Sequence, residues 1–585
     1  MIKKVNLYLD TIKRIPLKQN LFLVKEKILK KYLPIKLLTF KQIENNHYSI
    51  NLCKTFFKNL SKLKDEKSLT AYWDFGISEN NFQHHYHSFV HRNLEDFIKT
   101  DDTRILENLW GTTHDDIEFI YNLQRMYKFK EIMDVLKFSD SQKLKVICSW
   151  IEKHPPQKGY SWMGFNCSIR LINWVKILTS LKDINSIKES SLKNIFISIY
   201  QNIEFIVKNI EHHIPGNHVI FQYFAVWLIY FLFEDSKTEE YSKYFSDEFE
   251  DEFLESGLHF ELSTHYHIQV LQLGVYFALI NYNQNKIPHK LLQKIEKAYS
   301  IMEVFLLNRN TLPLIGDNCY NFFHNNLTED LQNLISLREK FQFVKKEKEE
   351  IFEIRDEYII VSKNKSKLIF NVGNIGMKQN PGHGHSDILS INFSYNGNPI
   401  FVDPGTKRYS NLLENLELKR ASSHNTVSVN GEDQSKLWGF FRWAFLPEKT
   451  KYNYRNDENS VILEASFKGF KNIGGAIHSR SIEINDLELI ILDNIKSDNL
   501  STIEQSFILS EFVTFEEINK KHYLICGNSK FEFLIDSIEP FKIEIVDFKI
   551  YTSYDNPINS KKIRILYNTT SKHILSKIKI KLIYE

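Results

Sequence analysis

"DILSINFSYNGNPIFVD", residues 387–403, decides the fold. Apolar and small polar residues alternate on either side of Asn396-Gly397. Such alternation around an Asn-Gly step is the signature of two antiparallel strands joined by a tight turn. The same texture runs outward in both directions. Upstream lies EYIIVSKNKSKLIFNVG (357–373). Downstream lie NTVSVNGED (425–433), SVILEASF (460–467), IEINDLELIILDNI (482–495) and IRILYNTTSKHILSKIKIKLIYE (563–585). Residues 351–585 therefore read as a large antiparallel β-sandwich.

Before residue 345 the period changes. In SLKNIFISIYQNIEFIVKNI (191–210), Leu192, Ile195, Phe196, Ile199, Ile203, Ile206 and Ile210 form one helical stripe. LLQKIEKAYSIMEVFLLN (291–308) repeats the pattern. Residues 51–345 read as stacked antiparallel helical hairpins. The charge run KKEKEE (345–350) is a solvated junction between the halves. Residues 1–50 form an N-terminal extension, basic and mixed, with no assigned role.

Composition narrows the function. A net charge of +3 over 585 residues argues against a nucleic-acid binder. The five cysteines (Cys53, Cys148, Cys167, Cys319, Cys526) include no CxxC pair, so neither a disulfide framework nor a thiolate zinc site is expected. The longest apolar run, VIFQYFAVWLIYFLF (219–233), is short of the roughly 20 residues that span a bilayer and reads as a buried helix. The N-terminus carries no apolar leader, which sets the expectation of a cytoplasmic protein, with the periplasm as the alternative. Aromatic residues make up 14% of the chain, and such surfaces suit sugar rings as well as cores.

Three clusters carry chemistry. In GHGHSD (382–387), His383 and His385 lie two apart, and in an extended strand they face the same way. Gly382 and Gly384 keep the approach to them open. Asp403 in FVDPGTKRYS and His424 in RASSHNTVSVNG follow at the ends of neighbouring strands. His385, Asp403 and His424 form a donor set suited to zinc or a similar divalent ion; the alternative is an ordinary polar sandwich surface. The second cluster pairs PGNHVIF, with Asn217 and His218 at a helix start, with SGLHFELSTHYHIQVL, holding His259, Glu261, His265, Tyr266 and His267. An amide, imidazoles and a phenol can hold a carboxylate and move protons; helix caps are the plainer reading. In the third, GYSWMGFNCSIRLINWVKIL (159–178), Arg170 and Trp162 either line an anionic sugar groove or belong to the core.

Taken in order, S-x-R-L-I-N-W (168–174), GNH (216–218), GLHFELSTHYH (257–267), LPLIGDN (312–318), GHGHSD, FVDPGT and SSHNTVSVNG resemble the heparinase II/III-like polysaccharide lyases, including related alginate lyases. The resemblance implies an α+β multidomain chain: an N-terminal incomplete α/α toroid, then the antiparallel β-sandwich. It implies β-elimination at a 4-linked uronic acid in an anionic polysaccharide or oligosaccharide, with no organic cofactor. Asn217 and His218 match the pair that neutralises the sugar carboxylate, and Arg408 adds positive charge. Tyr266 matches the proton-transfer tyrosine, which would need nearby cations to favour phenolate if it is the base; His383 matches the other catalytic histidine, base or charge stabiliser according to the substrate epimer; Glu261 and Tyr409 stand with them toward substrate. His385, Asp403 and His424 match a metal site that orders the loop carrying Arg408 and Tyr409. A link to bacterial surface polysaccharide is the expected setting. Two other readings stay open: a non-catalytic carbohydrate-binding or assembly protein of capsule or O-antigen synthesis, and a glycoside hydrolase on the same scaffold. The hydrolase needs a carboxylate pair, and Glu261 and Asp387 fall in different domains.

Overall fold

The computed structural model describes residues 11, 21, 37–46, 50–65, 85–183, 187–282, 287–308, 311–320, 327–338, 340, 341, 343, 350–457 and 459–584. The two halves have the expected characters. Helices follow one another from Phe40–Asn46 to Leu327–Leu337, and strands follow from Ile351 to Tyr584. Each half has its own apolar core.

In the first half, helices pack on near neighbours in sequence, as in an incomplete α/α toroid. Gly164–Thr179 packs against both Glu189–Lys208 and Asn217–Phe233, and Thr264–Tyr282 packs against His289–Phe305. The apolar run at 219–233 is the helix Asn217–Phe233, buried on nearly all sides within the protein. Among the described residues, no helix is long and apolar enough to cross a membrane. Residues 37–46 do not stand apart as an extension. Leu38 N donates to Glu204 Oε2 at 2.7 Å, and the helix Phe40–Asn46 packs on Glu189–Lys208. Of the rest of the expected 1–50 extension, only residues 11, 21 and 50 fall among the described residues. Thr11 reaches the sandwich, where its hydroxyl donates to Trp443 O at 3.3 Å.

The second half is wholly antiparallel in its named strands. A five-stranded sheet runs in sequence order from Ile351–Ile354 to Asn398–Phe401. Its last turn is the Asn396-Gly397 step, both residues at positive φ, as a two-residue hairpin requires. An eight-stranded sheet has Lys451–Asn456 and Val513–Ile518 as its edges, and a four-stranded sheet pairs Thr502–Ile508 with Val427–Val429 and Asn556–Asn568. In Val461–Gly469 and Ala476–Ile484 every second residue is buried, which is the alternation that the sequence shows.

The third sequence cluster belongs to the helical core. Arg170 is fully buried on the helix Gly164–Thr179. Its guanidinium donates to Ser161 O at 2.8 Å, to Gln124 O at 3.3 Å and to the Asn202 side chain, and it lies 4.0 Å from the Trp150 ring centroid. Trp162 is also buried, donating to His154 O at 3.2 Å. An arginine spent on internal carbonyls and indole faces is turned away from any sugar, so these two residues hold helices together and do not line a groove. Arg170→Leu should therefore lower stability by about 3 kcal/mol, because several buried acceptors lose their donor. Denaturant unfolding reads this, and a fully stable variant that had lost glycan binding would contradict the core assignment.

Candidate active site

The two halves meet at a loop, LPLIGDN. Asp317 N donates to His383 O at 2.9 Å, Thr406 N donates to Asn318 O at 2.9 Å, and Tyr320 N donates to Thr552 O at 2.7 Å. On the helical side, Ser263 Oγ donates to Asp317 O at 3.1 Å. The loop is thus stitched to both domains by its backbone.

The Asp317 side chain gathers the site. Its Oδ2 faces His383 Nδ1 at 2.9 Å and Lys419 Nζ at 3.0 Å. Its Oδ1 faces His385 Nε2 at 3.0 Å and Thr406 Oγ1 at 3.3 Å. The carboxylate is 0% exposed and the Lys419 side chain 1%. Burial alone would push this carboxyl up; Lys419, His383 and His385 outweigh it and hold the group well below the usual carboxylate range. His383 and His385 do share a site, as their spacing suggests. They do so through one carboxylate and not along a strand, because Pro381–His383 is a 3-10 turn. Nor does Gly384 keep an approach open: a Cβ there would lie 2.5 Å from Gly376 N, so it lets two backbone segments touch.

Tyr266 comes from the first turn of the helix Thr264–Tyr282. Its ring centroid lies 4.2 Å from that of His383, and its hydroxyl lies 2.9 Å from Tyr409 Oη. Burial, then Glu261 and Asp317, keep the Tyr266 phenol well above its ordinary value. These surroundings favour the protonated phenol over the phenolate. His383 has Nδ1 committed to Asp317, which leaves Nε2 as its other ring nitrogen. That Nε2 lies 4.0 Å from Glu261 Oε2.

Asn217 opens the helix Asn217–Phe233, and its backbone N–H donates to Glu261 Oε1 at 3.0 Å. His218 stacks on Phe165, centroids 4.2 Å apart, and its Nδ1 is 2.9 Å from Glu211 Oε2. Glu211 is held in turn by Gln222 Nε2 at 2.9 Å. Asn217, Glu261, Tyr266, His383 and Tyr409 thus form one linked cluster, with His218 beside it on the same helix turn. Arg408 pairs with Asp555 and also feels Asp116 and Tyr554, the last of which accepts from Tyr409 N at 3.2 Å. His259 and His267 turn inward, onto Glu252 and Ala298 O respectively.

The expected metal ligands form a chain. Asp403 Oδ1 lies 2.8 Å from His424 Nδ1, and His424 Nε2 lies 3.2 Å from His385 Nδ1. Asp403 therefore sits behind His424, as an orienting partner, and its Oδ2 accepts from Asn392 at 2.7 Å. Among the described residues no group of three His, Cys, Asp or Glu is arranged to hold a metal ion. Two donors do face each other. One proton on either ring makes the 3.2 Å gap an ordinary N–H···N hydrogen bond, and against burial the Asp403 hydrogen bond and charge hold the His424 imidazole above its ordinary value; a divalent ion is the other way to answer two facing lone pairs. Neighbouring nitrogens on a tetrahedral zinc with bonds of about 2.0 Å are about 3.3 Å apart, so His385 and His424 fit as two ligands.

Three participants carried no assigned role in the sequence. Asp317 lies inside LPLIGDN, so the motif was its signal. Lys419 had none. Phe441, whose centroid is 5.5 Å from His383 and whose side chain is half exposed, sits in the aromatic-rich hairpin KLWGFFRW (436–443).

The comparisons agree with this architecture. The sequence matches the family described as Heparinase II/III N-terminus over residues 35–343 and the one described as Heparinase II/III-like, C-terminal, over residues 357–576. The chain belongs to the heparinase II/III-like family of polysaccharide lyases. Its fold is similar to that of a solved heparinase III (TM-score 0.67, 15% identity, 92% of each chain covered). It is also similar to heparan sulfate lyase HepC from Pedobacter heparinus (0.55, 14%, 93% of each). Chondroitin AC lyase from Streptomyces coelicolor A3, solved in a mutant form, shares the fold more loosely (0.51, 10%, 88% of this chain and 82% of that one). No curated protein matches the sequence.

Asp317→Asn should leave Lys419 buried without its counter-charge and release the His383 ring. The expected result is a loss of about 3–5 kcal/mol of stability and of at least about 100-fold in turnover. Thermal unfolding and rate measurements read both, and a stable variant with wild-type turnover would remove Asp317 from the centre of the site.

Proposed function

We propose that the cleft cleaves a 4-linked, uronate-containing glycan by β-elimination. The observation that carries this reading is the pairing of His383 and Tyr266, one from each domain, with ring centroids 4.2 Å apart. Elimination needs a base at C5 and an acid at O4, both within reach of one sugar ring. His383 Nε2, its other nitrogen tied to Asp317, takes the C5 proton. The electrons of that C–H bond form the C4=C5 double bond, and the C4–O4 bond breaks. Tyr266 Oη–H protonates the departing O4, and Tyr409 Oη, 2.9 Å away, hydrogen-bonds the phenol as its proton leaves.

The C5 hydrogen is acidic only if the sugar's carboxylate charge is masked. Asn217 and His218 stand at the start of their helix, where the positive dipole end favours an anion. His218 has Glu211 on Nδ1, which leaves its Nε2 for the sugar. The half-exposed Phe441 offers a face for an adjacent sugar. The names of the similar structures, heparan sulfate and chondroitin lyases, support a glycan substrate. The bacterial surface setting rests on the sequence resemblance.

The divalent ion enters as a proposal confined to His385 and His424, with Asp403 behind. Bound there, it would supply positive charge that ties the GHGHSD and SSHN loops together. Elemental analysis of purified protein should then give about one equivalent of a zinc-like metal, and His385→Ala should lose it. Metal-free protein whose melting temperature is unmoved by a chelator would remove the ion.

Tyr266→Phe should fold normally and lose at least about 1,000-fold in formation of unsaturated uronate, read as new ultraviolet absorbance. Full retained activity would reject Tyr266 as the acid. Cleavage that leaves no unsaturated product would favour the hydrolase reading.

A further inference from the structure

Glu261 is a buried carboxylate that is only half used. It is 4% exposed. Oε1 accepts the Asn217 N–H at 3.0 Å, while Oε2 is buried, forms no hydrogen bond and is turned toward His383, 4.0 Å from its Nε2. The backbone is shaped to admit it. Gly216 has φ +130°, and a Cβ at that position would lie 2.0 Å from Glu261 Oε1.

We propose that Glu261 acts as a neutral carboxylic acid whose Oε2–H donates to the carboxylate of the bound uronate, completing the set formed with Asn217 and His218. The inference rests on the uronate reading above and goes beyond it by fixing the protonation state of the binding set. Three arguments favour the neutral form. A buried ionised oxygen with no donor is costly, whereas a buried O–H becomes satisfied when an acceptor arrives. An ionised Glu261 would repel the incoming carboxylate, while a carboxyl and a carboxylate can share one proton. And an ionised Glu261 drawn onto His383 would hold a proton on Nε2, the atom that must accept one.

The groups facing Glu261 are His383 across the seam, Asp317 in a loop of its own half, His218 and the Asn217 N–H on the neighbouring helix, and Tyr266 on the helix that follows; Glu252 lies behind. Burial pushes the Glu261 carboxyl above the usual range, with His383, the Asn217 N–H and His218 pulling the other way and Asp317 adding to the rise.

The test is calorimetric titration of sodium D-glucuronate into wild-type, E261Q and E261A protein across pH. An acid that must be protonated to bind loses its donor as pH rises through its raised pKa. Wild-type affinity should therefore fall by about tenfold over that range, the worth of one charge-assisted hydrogen bond. E261Q keeps a neutral N–H donor, so it should bind within about threefold of the low-pH wild type and lose that pH step. E261A should bind about tenfold more weakly throughout. The wild-type and E261Q profiles carry the test if E261A does not fold. E261Q binding as weakly as E261A, or keeping the wild-type pH step, overturns the neutral acid alone. Wild-type protein that binds glucuronate no better than glucose overturns the uronate reading with it.

Discussion

One buried carboxylate, Asp317, organises the molecule's working centre. A charge this far from water is tolerable only if it is fully answered. The helical half supplies the acid, and the sandwich supplies the answers: His383, His385, Lys419 and Thr406. Sliding one domain against the other would strand Asp317 or Lys419 without a partner. The interdomain geometry is thereby held to the precision that proton transfer demands. The ring of His383 is fixed by the same bond that fixes the domains, which couples stability and chemistry in a single contact.

Proton placement then follows from surroundings. His383 has one nitrogen committed to Asp317 and the other 4.0 Å from Glu261 Oε2. Tyr266, buried among Glu261 and Asp317, keeps its proton. In the proposed reaction these two rings, 4.2 Å apart, serve as base and acid, each defined by its own neighbours. In the proposed reaction, the cleft masks one charge so that one C–H bond can ionise.

Much of this was legible in the sequence. The switch from a 3.6-residue to a two-residue period located the two folds, since each element must bury one face. GNH, Tyr266, His383 and Glu261 could be placed because each sits in a motif with its neighbours. Other features depended on distance in space. Asp317 lies in the LPLIGDN motif, but its central role appears only when the sandwich delivers three cationic or imidazole groups to it. Arg170 beside Trp162 looks like a sugar groove in sequence, but the Gly164–Thr179 helix is buried on almost every face, so the same residues became core. Asp403 was expected to point at a metal and instead backs His424, a rotation that spacing cannot reveal. Lys419 had no signal, because a lone lysine in a polar stretch is ordinary.

The most direct measurement is a crystal structure of the Tyr266→Phe protein with a uronate oligosaccharide bound. The account predicts one uronate at the seam, its carboxylate within hydrogen-bond reach of Asn217 and His218, its C5 facing His383 Nε2 and its O4 over the position 266 ring. An oligosaccharide seated elsewhere, with the seam empty, would contradict it.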